Sequence, residues 1–154
     1  MSKRAPYETL AADGMRAVGS VYNYVAHCGL EKSLVDLAYL RASQINGCAY
    51  CIDAHVRDLR KDGAPVEKLA LVGAWRETGL MFSDRERAAL AWTEALTLVS
   101  ERRAPDDVYA ELKAQFTDEE QVQLTLLINV INGWNRLGVG FAGPVRSAAE
   151  IRAA

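Results

Sequence analysis

Two cysteines and a histidine stand close together in "INGCAYCIDAH", residues 45 to 55, at a spacing that has chemical meaning. If a helix begins at Cys48, then Cys51 follows three positions later and His55 four after that. At about 100° per residue the three lie within roughly 60° of one another, on one face. Cys48 then sits at the helix start, where unpaired backbone N–H groups and the dipole favour a thiolate. Cys51 has an imidazole one turn away, close enough to take its proton or to stabilise its anion. A disulfide between the two closes a very short loop and adds little stability, so its value lies in being made and broken.

Three readings of this segment compete. Small apolar cysteines and a helix histidine can simply pack in a core. A structural zinc site needs a fourth ligand, and the spare Cys and His residues are Cys28 and His27, about twenty positions upstream. Dithiol redox chemistry needs two thiols and a base, and the combined spacing favours it. From the residues alone, position at the helix start points to Cys48 as the nucleophile, and the neighbouring imidazole points to Cys51.

The elements that must hold these residues read as helices throughout, because apolar residues recur at three- and four-residue intervals and do not alternate. A first helix is expected from about Tyr7 to His27, ended by Gly29, and a second from about Glu31 to Ile45, stopping at the Asn46-Gly47 turn. The third starts at that turn and runs to Gly63. Pro65 opens a fourth, through "PVEKLALVGAW". "SDRE" at Ser83 to Glu86 is a capping box that launches a fifth helix through Ser100. Pro105 with Asp106 and Asp107 opens a sixth, and a second capping box, Thr117 to Glu120, launches a long apolar helix through Leu137. The expectation is an all-α, single-domain bundle of six to seven helices spanning residues 1–154, with no linker or repeat.

Composition sets the surroundings. Half of the 154 residues are apolar and a quarter charged, the profile of a folded globular chain. Eighteen basic against twenty acidic side chains leave a formal charge of -2, which argues against nucleic acid or an anionic membrane as partner. The N-terminus meets Glu8 and Asp13 before any signal-like apolar run develops, and no apolar stretch is long enough to span a bilayer. A cytoplasmic location is expected, where thiols are kept reduced and a cysteine pair calls for a role other than a stabilising framework. No nucleotide, flavin or haem signature is present, and no cofactor is expected.

"LRASQINGCAYCIDAH", with "AWRETGLMFSDRERAALAWTEALT" downstream, resembles the carboxymuconolactone decarboxylase family in its alkyl hydroperoxidase D-like branch, over residues 31 to 98. The resemblance implies an all-helical fold, a homo-oligomer (dimer, trimer or hexamer) and a thiol peroxidase. Carried over residue by residue, it makes Cys51 the nucleophile toward a hydroperoxide, Cys48 the resolving thiol and proton donor, and His55 the base. A thiol or dithiol reductant then restores both cysteines. The family places a glutamate twelve residues before the first cysteine, in a proton relay with the histidine, and this sequence has Asp36 there. Tyr50 stands between the cysteines where the best-known peroxidase has a histidine, and a phenol is no base at neutral pH. The family's true decarboxylases lack the cysteine pair, so the pair argues against that reaction. A redox sensor that oxidises without turnover, or a decarboxylase-like enzyme, are the alternatives.

Other conspicuous residues read as packing. Trp75, Trp92 and Trp134 are expected in the core or a subunit interface. Cys28 is expected to be an inert buried thiol, His27 to meet the carbonyl end of the first helix, and "RDLRKD" to form a solvated helix face.

Overall fold

A computed structural model describes residues 4–143, 145, 146 and 150 of the chain. The described residues form helices α1 (Tyr7–Leu10), α2 (Ala12–Ala26), α3 (Lys32–Asn46), α4 (Ala49–Lys61), α5 (Val66–Ala70), α6 (Asp84–Thr97), α7 (Val99–Arg102), α8 (Asp106–Gln115) and α9 (Asp118–Gly140). Two short 3-10 segments, Val72–Glu77 and Gly79–Met81, separate α5 from α6. Among the described residues there is no β-strand. The all-α expectation holds, and none of the described helices is long and apolar enough to cross a membrane.

Three expected helices are divided. The first breaks at Ala11, and the bend lets Tyr7 lay its ring 5.0 Å from that of Phe141, beyond the end of α9. Periodicity is blind to such a contact. The fourth gives way after Ala70 to 3-10 geometry, which seats Val72 and Trp75 in the core. The fifth turns at Leu98 into α7. Both capping boxes form as expected: Ser83 Oγ accepts from the Glu86 amide while Glu86 accepts from that of Ser83, and Thr117 and Glu120 do the same.

Helix α3 is the centre of the molecule. Every residue from Leu34 to Leu40 is buried, as are Ala42 and Ser43, so it is covered on all sides instead of carrying one apolar stripe. Leu34, Val35, Ala38, Tyr39 and Ala42 join Trp92, Leu112, Leu124, Leu127, Ile128 and Ile131 in one core cluster. Leu37 and Leu40 join Leu59, Leu69, Val72, Trp75, Phe82 and Leu90 in a second. At about 25 cal/mol per Å² of apolar area removed from water, burial of this kind is the main force placing α4, α6 and α9 around α3.

Glu94 on α6 is buried between two arginines. It receives Arg41 Nε at 2.7 Å, Trp75 Nε1 at 3.0 Å and the Arg76 guanidinium. Burial pushes its carboxyl up, and the bonds from Arg76, Trp75 and Arg41 pull it further down, to below the ordinary value. This pins the 3-10 segment to α3 and α6, away from the cysteines.

Candidate active site

The turn that delivers the cysteines is very short. Gly47 ends α3 in the left-handed region, φ +66°, which glycine adopts without strain. The Gly47 amide donates to Gln44 O at 3.3 Å and the Cys48 amide to Ser43 O at 3.0 Å, the paired reverse bonds of a Schellman ending. Cys48 is then the N-cap of α4, its sulfur 3.4 Å from the Cys51 amide. Asn46, which the sequence offers only as a turn residue, clamps this corner to α9. Its Nδ2 donates to Asn132 Oδ1 and to Asn135 Oδ1, both at 2.9 Å, and Asn135 Nδ2 returns a bond to Ser43 Oγ at 3.0 Å.

Cys48 and Cys51 are joined as a disulfide, with Cα atoms 5.4 Å apart. Both are buried, and so is His55 one turn beyond Cys51. The two sulfurs differ in what faces them. Cys51 and His55, but not Cys48, line a cleft of about 320 Å³ with Tyr7, Tyr22, Tyr50 and Trp134. Cys48 faces Gly138 of α9. A Cβ on Gly138 would stand 2.9 Å from Cys48 Sγ and 3.7 Å from Cys51 Sγ, so the helix backbone covers the first sulfur at a distance only glycine permits.

Asp36 is buried on α3, opposite α4. Its Oδ1 lies 3.6 Å from His55 Nδ1 and its Oδ2 accepts from Lys32 Nζ at 2.8 Å, while the same Nζ reaches Asp62 Oδ2 at 2.6 Å. Burial pushes the Asp36 carboxyl up, but the contacts with His55 and Lys32 pull harder and leave it below the ordinary carboxylate range. Lys32 is raised by the same two carboxylates. The 3.6 Å gap exceeds a hydrogen bond, and His55 Nδ1 has no hydrogen-bond partner among the described residues. The Tyr39 ring packs 4.9 Å from the imidazole, and burial raises the Tyr39 phenol.

The structure therefore brings together Cys48, Cys51, His55 and Asp36, the four residues the sequence singles out. It also adds some the sequence did not flag. Lys32 was legible in principle, since a lysine four residues before an aspartate on a helix is a pairing signal. Gly138 and, apart from Tyr50 on α4, the aromatic wall carry no local signal, because they come from α1, α2 and α9. Trp75 and Trp92 are core residues as expected, whereas Trp134 packs on the core and also lines the cleft. Cys28 is only partly buried, and its sulfur faces Val25 O at 3.1 Å. His27 Nδ1 meets Asn23 O at 2.8 Å, at the end of α2. In "RDLRKD" Leu59 is fully buried among solvated neighbours. A larger hollow of about 600 Å³ lies beside Trp75, Arg87 and Asp107 and holds no cysteine or histidine.

The model of the carboxymuconolactone decarboxylase family matches residues 12–95, so the likeness extends through α2, upstream of the segment that carries the sequence resemblance. The uncharacterized protein YdfG of Bacillus subtilis (strain 168) is 35% identical over 147 residues, 96% of this chain and 99% of its own. An alkyl hydroperoxide reductase AhpD of Maricaulis maris (strain MCS10) is 41% identical over 63 residues, 41% of this chain and 33% of its own. The crystal structure of a protein of unknown function from Agrobacterium tumefaciens superposes with a TM-score of 0.90 at 41% identity, covering 95% of this chain and 99% of that one.

Proposed function

We propose that this chain, which belongs to the carboxymuconolactone decarboxylase family in its alkyl hydroperoxidase D-like branch, is a thiol-dependent peroxidase working through Cys51 and Cys48. The observation that carries the reading is the asymmetry of the disulfide: Cys51 opens on the cleft beside His55, whereas Cys48 lies under Gly138.

In the reduced protein His55 accepts the Cys51 proton, and Asp36 and Lys32 hold the ring and the counter-charge in place. The Cys51 thiolate attacks the outer oxygen of a hydroperoxide; the O–O bond breaks, an alcohol leaves with a proton, and Cys51 becomes a sulfenic acid. Cys48 then attacks the Cys51 sulfur, water leaves, and the disulfide forms. An external dithiol restores the pair by attack on the accessible Cys51 sulfur, releasing the Cys48 thiolate, and its second thiol then frees Cys51. The aromatic and apolar cleft wall suits an organic hydroperoxide, and a second copy of the chain is the expected partner in assembly.

Peroxide loss under a dithiol reductant, followed for wild type, Cys48→Ser and Cys51→Ser, tests the proposal. Wild type should turn over, Cys51→Ser should be inert, and Cys48→Ser should oxidise without forming the internal disulfide. Equal consumption without Cys51 would overturn the assignment. Stoichiometric oxidation with no turnover would favour a redox sensor on the same scaffold.

A further inference from the structure

Asp58 lies one turn beyond His55 on α4 and plays no part in the thiol chemistry above. Together with Asp36 and His55 it forms a group in which one ligand atom from each residue lies within 4.8 Å of the others. Three further observations point to an ion in their midst. His55 is nine-tenths buried, yet its Nδ1 has no hydrogen-bond partner among the described residues, a condition native proteins rarely leave uncompensated. The carboxylate facing that nitrogen stands at 3.6 Å, too far to bond it. Two ligands held roughly 2.0–2.2 Å from a tetrahedral ion are, however, about 3.4 Å apart. Finally, Lys32 occupies only Oδ2 of Asp36, leaving Oδ1 directed at the imidazole.

Access and charge agree. Asp58 sits at the junction of two openings, shared with His55 on the thiol cleft and with Asp36 on a second hollow of about 390 Å³ beside Tyr22 and Tyr39. Two carboxylates and an imidazole suit a divalent ion of intermediate softness, with water at the fourth position. Lys32 and Lys61, the latter 3.8 Å from Asp58 Oδ1, oppose the ion, but Asp62 shares the Lys32 charge at 2.6 Å and Lys61 is exposed.

We propose that Asp36, His55 and Asp58 form a three-ligand site for zinc, whose occupation removes His55 from the proton relay and reversibly inhibits oxidation of Cys51. The inhibitory half rests on the peroxidase reading; the binding half does not.

Binding is tested on the full chain held oxidised, so that neither thiol of the pair can ligate metal, by calorimetric titration with zinc chloride. Wild type should bind at one saturable site, and Asp58→Asn should weaken it by about tenfold or more. Asp53→Asn, the same charge change on the same helix, should leave the affinity essentially unchanged, and circular dichroism of each variant confirms that it is folded. No saturable binding, or equal weakening by both variants, overturns the site. Inhibition is tested by mixing reduced protein with one equivalent of peroxide, with and without zinc, and normalising each variant to its own zinc-free rate. Zinc should slow wild type far more than Asp58→Asn. Equal slowing would mean that zinc acts through the thiols alone and would overturn the inhibitory claim. If wild type does not react with peroxide at all, the peroxidase reading and inhibition fall together, while the titration still decides the site.

Discussion

Replacing Gly138 by alanine puts a methyl group where α9 presses on the disulfide, and the consequence can be worked from the distances. The new Cβ would lie 2.9 Å from Cys48 Sγ, against a comfortable separation of about 3.5–4.0 Å, so sulfur or helix must yield by roughly 0.6–1 Å. Overpacking of that order costs about 1–3 kcal/mol. In the disulfide Cys48 Sγ is fixed under the helix and the clash persists. In the dithiol, Cys48 can turn to another rotamer, and the variant keeps the gain of about 1 kcal/mol that alanine has over glycine inside a helix. The clash thus falls on the oxidised form alone. At 30 mV per 1.4 kcal/mol for a two-electron couple, the reduction potential should rise by about 20–60 mV. Equilibration in graded dithiothreitol buffers, with thiols trapped and counted by mass, measures it. Melting of the two forms adds a check, since only the oxidised form should be weakened. An unchanged or more negative potential, or equal loss of stability in both forms, would refute the view that Gly138 is glycine because of the sulfurs.

Other consequences can be measured as directly. His55→Ala should lower the second-order rate of Cys51 oxidation by about 10²–10⁴, and a rate within experimental error of wild type would remove His55 as the base. Asp36, depressed in the folded chain by His55 and Lys32 against its burial, contributes stability that is fully present above the unfolded value near about pH 4 and is lost as pH falls through the folded value. Asp36→Asn should therefore flatten the acid limb of a Tm against pH curve, and an identical limb would contradict the pairing. Glu94→Ala should strand Arg41 and Arg76 and cost about 3 kcal/mol in urea unfolding, the low end for a broken buried pair because Arg76 is half exposed. Asn135→Ala should cost about 1–3 kcal/mol by removing the partner of Ser43 Oγ and one of the two acceptors of Asn46, which keeps Asn132, and a neutral result would show that the clamp on the turn is dispensable.

Much of the site was legible because its logic is local. Asn46-Gly47, two cysteines three apart and a histidine four further on are fixed by the geometry of one turn and one helix, which neighbours only a few residues away decide. The capping boxes at Ser83 and Thr117 are local in the same way, and both formed. Legibility ended where an element's fate depended on a distant surface. Ala11 breaks what periodicity reads as one helix, because Tyr7 finds Phe141. Helical spacing alone gives Asp36 no partner, and only the packing of α4 on α3 brings His55 to 3.6 Å from it.

By itself, then, the sequence determined an all-helical chain and two cysteines with a histidine on one helical face, since hydrogen-bond period and side-chain direction are properties of the segment alone. Only the tertiary structure decided what each sulfur faces. Cys51 is open to a cleft walled by α1, α2 and α9, while Cys48 lies beneath a glycine of α9. That difference arises where helices remote in the chain pack around α3, and burial of apolar surface, not local pattern, sets where they meet.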